Sequence, residues 1–159
     1  MRRVTLLSLF LFSAFSAGTV IALPDSSALL DMLRGSHFTT LTHVGDLPPS
    51  VLRACVDDPE DVADPGGPFN PTDAGEVGHP KPRTRLAWAA TDGEHYVAEF
   101  EYGGIGYHRT ILLVSFDGST GAAKVLAEAQ DVTANSVYEL IKAASESKTP
   151  FWSEPGRYH

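Results

Sequence analysis

Residues 83–128 read RTRLAWAATDGEHYVAEFEYGGIGYHRTILLVSFDGSTGAAKVLAE. Three turn signals divide this stretch: Asp92-Gly93, the cluster Gly103-Gly104-Ile105-Gly106, and Asp117-Gly118-Ser119-Thr120-Gly121. Between them lie apolar runs of strand length, rich in Val, Ile, Tyr, Phe and Thr. That pattern predicts an antiparallel meander of about four strands over residues 84–128.

Asp-Gly favours a two-residue turn, because Gly tolerates positive φ and Asp tolerates it better than most residues. A loop at Asp92-Gly93 pairs Thr91 with Glu94, Trp88 with Val97 and Leu86 with Glu99. A loop at Gly104-Ile105, or at 103–106, pairs Tyr102 with Tyr107, Glu101 with His108 and Glu99 with Thr110. Side chains alternate across a strand, so each register assigns faces. One face then carries Leu86, Trp88, Val97, Glu99, Glu101, His108, Thr110, Leu112, Val114 and Phe116. The other carries Ala87, Ala89, Tyr96, Ala98, Phe100, Tyr102, Tyr107, Arg109, Ile111 and Leu113. Both are apolar near the middle, which predicts cover on both sides.

Outward from the meander, residues 131–146 hold the clearest helical pattern. Val137, Leu140, Ile141 and Ala144 form a stripe, and Ser136 with Glu139 matches a capping box. The helix, expected over about 134–147, should lie on the alanine-bearing face, where small side chains permit close approach. Phe151 and Trp152 beyond it should tuck against the core. Upstream, Asp25–Leu33 and the run after Pro48-Pro49 read as short helices, and residues 37–44 as an edge strand. Residues 57–82, dense in Pro, Gly and Asp, read as an irregular loop, either a solvated connector or a binding loop. The fold class expected is α+β, with one small domain over residues 23–159.

Residues 1–22 have the order of a secretory signal: Arg2-Arg3, an apolar run, then small residues. Cleavage is expected after Ala22, with Gly18 as second choice; an uncleaved membrane anchor is the alternative. The protein should therefore be periplasmic or secreted. The chain carries a formal charge of −8, and removing Arg2 and Arg3, with no acid beside them, takes it to −10. Such an acidic protein is not expected to bind nucleic acid or anionic membrane surfaces. The single cysteine, Cys55, cannot form an internal disulfide; it reads as a small buried hydrophobe or a link to another chain.

No motif of a hydrolase, zinc protease, redox thiol pair or phosphate loop occurs. The six histidines match no compact ligand spacing, so no metal or other cofactor is expected. The sharpest polar group is Glu99, Glu101 and His108. The expected register sets Glu101 opposite His108, either as a general-base pair or as an ordinary cross-strand ion pair. Tyr102, Tyr107 and Arg109, with Phe69 from the loop, form a candidate partner-binding group. The leading expectation is an exported, non-enzymatic binding module for an envelope protein or another extracytoplasmic ligand. The alternative is a small exported hydrolase using Glu101 and His108, with residues 57–82 as its lid.

Overall fold

The computed structural model describes residues 25–72 and 80–156. The secretory-signal reading falls on residues outside this range, as do His79 and His159.

Among the described residues three helices accompany an antiparallel sheet, so the fold is α+β. Helix α1 spans Ser26–Gly35, strand β1 Thr39–Leu41, a 3-10 turn Val44–Asp46, and helix α2 Pro49–Cys55. Strand β2 is Val62–Ala63; β3, β4, β5 and β6 are Thr84–Thr91, His95–Tyr102, His108–Asp117 and Ala122–Gln130; helix α3 is Val137–Glu146. The main path of the sheet runs β1-β3-β4-β5-β6. The four long strands are the meander legible in residues 84–128, and the short β1 lies at its edge.

Residues 57–82 are not wholly irregular. Val62 and Ala63 pair in parallel with Thr84 and Arg85, using edge groups of β3 that β1 leaves open.

Each hairpin departs from the expected register for a local reason. At the first, Asp92 does not sit within the turn but controls it. Its Oδ1 accepts from Glu94 N at 2.9 Å and from His95 N at 2.6 Å. The turn is thereby centred on Gly93-Glu94, with Gly93 at φ 98°, and Thr91 pairs with Tyr96 rather than Glu94. A shift of two partners leaves the faces unchanged. A bulge between Leu86 and Trp88 does not: it turns Leu86 to the face opposite Trp88.

At the second hairpin the loop is 103–107, an odd number of residues, and Tyr102 pairs with His108. That one-residue change from the Tyr102–Tyr107 register turns every side chain of β5 to the other face. Glycine is required here. Gly104 and Gly106 have φ of 120° and 98°. A Cβ on Gly103 would overlap the carbonyl of Asn70, which packs directly on the base of the hairpin.

Two cores result, one on each face. Trp88, Val97, Ile111, Leu113, Ala127 and Ala129 pack against Leu29 and Leu33 of α1 and Leu140 of α3. Leu86, Ala89, Ala98, Phe100, Leu112 and Val114 pack against Val51 and Leu52 of α2. Both faces are covered, as their apolar middles require. The helix on the alanine-bearing face is α2, however, and α3 lies on the Trp88 side, contrary to the expected placement. The β5 flip moves Ile111 and Leu113 to that side. They join Val97 to give the broad aliphatic surface that the Val137–Ala144 stripe covers.

Helix α3 begins as its sequence indicates: Ser136 Oγ accepts from Glu139 N, while Glu139 Oε2 reaches back to Asn135 N at 2.8 Å. Arg34 of α1 donates to Ser145 Oγ of α3 at 2.7 Å, tying the two helices together. Beyond α3, Trp152 is buried, and Ser153 exchanges backbone hydrogen bonds with Glu128 on β6.

Candidate functional site

The residues singled out from the sequence divide between the two faces of the β4–β5 hairpin. Glu99, Glu101 and Arg109 share the α3 side; Tyr102 and His108 share the α2 side. Glu101 and His108 are therefore not a pair. The residue opposite Glu101 on β5 is Arg109, and on β3 it is Arg85. The expected Glu101–His108 unit fails because the loop holds one residue more than the glycine pattern suggested.

On the α3 side two carboxylates meet two guanidinium groups. Arg85 Nε donates to Glu101 Oε2 at 2.6 Å, and Tyr107 Oη donates to Glu101 Oε1 at 2.6 Å. Burial raises the Glu101 carboxyl, but the hydrogen bonds from Arg85 and Tyr107 and the arginine charges outweigh it and hold the group below its usual range.

Glu99 lies deeper, fully buried. Arg109 Nε is 2.6 Å from its Oε1, an ion pair whose N–H points off the line of a good hydrogen bond. Trp88 Nε1–H is shared between Glu99 Oε2 and the Ala134 carbonyl, at 2.6 Å each. Here burial is the largest effect, exceeding the pull of Arg109 and Trp88, and the carboxyl is pushed up to about 7. Glu99 is thus no surface ion-pair partner. It joins the sheet, through Trp88, to the segment entering α3.

The outer layer is aromatic. Phe69 lies under the Arg85 guanidinium, 4.1 Å from ring centroid to Cζ, and its ring is 6.5 Å from that of Tyr107. Arg85 also donates to the Gly67 carbonyl at 3.2 Å, so residues 67–70 are fastened to the sheet. Tyr107 is 48% exposed, and Ile105 at the loop tip is 96% exposed. Phe69, Tyr107 and Arg109 are brought together as a group; Tyr102 is separated from them by the sheet.

On the α2 side Tyr102 stacks on His108, ring centroids 4.9 Å apart and 11° from parallel. Tyr102 Oη donates to the Cys55 carbonyl at 3.2 Å. Both rings line a cavity of about 470 Å³ between the end of α2 and strands β4–β6. Cys55 lines it too, with its thiol pushed up to about 12 by burial, a poor nucleophile at neutral pH.

Among the described residues no group of three or more His, Cys, Asp or Glu is placed to hold a metal ion. No described helix is long and apolar enough to cross a membrane. Arg85, Trp88 and Glu128 are the site residues that the sequence did not single out. The bulge hides the phase of Arg85, Trp88 reads as plain core, and Glu128 is the one acidic residue of the last strand. That isolation was the one available signal. Compared with known protein families, curated proteins and solved structures, the chain finds no match.

Proposed function

We propose that this protein is an exported, non-enzymatic binding module that docks an envelope protein through the open end of its β4–β5 hairpin. The single observation that carries this reading is the exposed apolar tip, Ile105 with Tyr107, standing beside Phe69 and a fixed Arg85. Tyr, Arg and large apolar groups around a small patch are the composition of interface hot spots. The two arginines are already immobilised by Glu99 and Glu101, so contact with a partner costs little side-chain entropy. The leader-like residues 1–22 support export. A hydrolase built on Glu101 and His108 has lost its geometric basis, since the sheet lies between them.

Site-specific photo-crosslinking tests the reading. A photoreactive residue at position 105 of the exported protein should give one discrete protein adduct. Tyr107→Ala should lower its yield by at least about fivefold at a temperature where circular dichroism shows the variant folded. An adduct pattern no different from that of a probe at Lys124, on the far end of the sheet, would overturn it.

A further inference from the structure

Arg109 is held at one end of its guanidinium group and open at the other. Its Nε is buried against Glu99 Oε1, and Glu99 is its one ion-pair partner among the described residues. Its two terminal nitrogens are not buried, and they donate to no described residue. Arg85 differs, with Nε spent on Glu101 and a terminal nitrogen on the Gly67 carbonyl. Arg109 therefore presents a planar, charged fork whose stem is already fixed. Such a fork matches a carboxylate, which it takes in two parallel hydrogen bonds. Glu99 does not cancel its charge: burial pushes that carboxyl up to about 7, so at neutral pH it offsets Arg109 only in part.

The surroundings select among anions. Arg109 follows Tyr107 by two residues on the same side of the chain, and its charge is felt at the Tyr107 hydroxyl. Tyr107 and Ile105 are exposed at this end, with Phe69 beside Tyr107, so a bound anion has apolar neighbours. Glu101 accepts from Arg85 and Tyr107 in the same cluster. A phosphoryl dianion would meet that negative charge with a single fork to hold it. A carboxylate side chain within a chain, flanked by apolar residues, meets both conditions.

We propose that the outward nitrogens of Arg109 are a recognition site for a glutamate or aspartate side chain of the docked protein, with an apolar neighbour of that acid lying on Ile105 and Tyr107. This assignment rests on the docking reading and names the chemistry of its partner, an acidic segment flanked by apolar residues.

The test uses the whole exported protein and four probes: acetyl-Leu-Glu amide, its neutral isostere acetyl-Leu-Gln amide, acetyl-Leu-Gln with a free carboxyl end, and inorganic phosphate. Backbone amide shifts locate binding and give its strength. Acetyl-Leu-Glu amide should move the amides of Tyr107 and Arg109 and bind at least about fivefold more tightly than acetyl-Leu-Gln amide. Arg109→Gln alone would strand the Glu99 carboxylate, so it is added to a Glu99→Gln protein and checked for folding by circular dichroism. There it should weaken acetyl-Leu-Glu amide at least about fivefold relative to Glu99→Gln alone. Equal binding of the glutamate and glutamine amides would overturn the assignment. So would tighter binding of the free carboxyl end or of phosphate, or no shift with any probe. Photo-crosslinking from position 105 separates this assignment from the docking reading. Excess acetyl-Leu-Glu amide should lower the discrete adduct at least about threefold. A discrete adduct that the bound peptide leaves untouched would keep the docking tip and overturn the carboxylate site. Absence of a discrete adduct would overturn the docking reading, and this partner with it.

Discussion

Replacing Glu99 by Gln should remove a pH dependence that the wild-type protein owes to one buried carboxylate. Glu99 is fully buried, and its carboxyl is pushed from its ordinary 4.5 up to about 7 in the folded chain. Between those values the folded state holds a proton that the unfolded state has released. Linkage then makes the protein more stable as pH falls from 8 to 5 and less stable as it rises. The full shift corresponds to ~3 kcal/mol at 1.36 kcal/mol per unit, of which roughly 2–3 kcal/mol develops between pH 8 and 5. For a protein of this size that is roughly 6–10 °C in melting temperature. The amide of the Glu99→Gln protein keeps the shape, cannot ionise, and should flatten this part of the curve. Because burial outweighs the attraction of Arg109, Glu99→Gln should match the wild type near pH 5 and exceed it at pH 8. Thermal melts of both proteins from pH 5 to 8 measure the difference directly, since the titrations remote from Glu99 are common to the two. Parallel curves would refute the reasoning. So would a Glu99→Gln protein less stable than wild type at pH 8, because Arg109 would then dominate over burial.

Three further outcomes follow from the packing. Gly103→Ala should destabilise the fold by about 2 kcal/mol or more, because the new methyl meets the Asn70 carbonyl; urea unfolding reads the loss, and a change under about 0.5 kcal/mol would show residues 69–71 standing off the hairpin. Cys55, with its thiol raised to about 12, should resist disulfide reagents at pH 8 in the folded protein and react after denaturation; equal rates in both states would contradict the burial of the thiol. Leu140→Ala, at a fully buried position between α3 and the sheet, should cost about 2–5 kcal/mol in chemical denaturation; a loss below about 1 kcal/mol would mean that α3 does not close that core.

The helices and the long strands were legible in the sequence because each carries its own punctuation, whereas the two-residue β2 carries none. Asp25 and Ser136 cap their helices, Pro49 opens α2, and the glycine clusters separate strands whose alternation is strong. What the turn residues did not reveal was the length of the Gly103–Tyr107 loop. Two glycines at positive φ fit an even loop or an odd one, and only long-range packing chooses between them. Here the choice places Ile111 and Leu113 under α1 and α3. The same choice decided the site. It separated His108 from Glu101, set Arg109 beside both glutamates, and put α3 on the Trp88 side. The bulge at Ala87, equally silent in the sequence, brought Arg85 into line with Glu101. Phe69 is the one aromatic among residues 57–82, and it pins its loop to the sheet through Arg85 and Tyr107.

The phase of β5 against β4 is the point on which the two-sided arrangement stands, and cross-strand backbone NOEs measure it most directly. The expected contacts pair Tyr102 with His108 and Glu101 with Arg109. Contacts pairing Tyr102 with Tyr107 and Glu101 with His108 would contradict this phase, returning the imidazole to the face of the carboxylates.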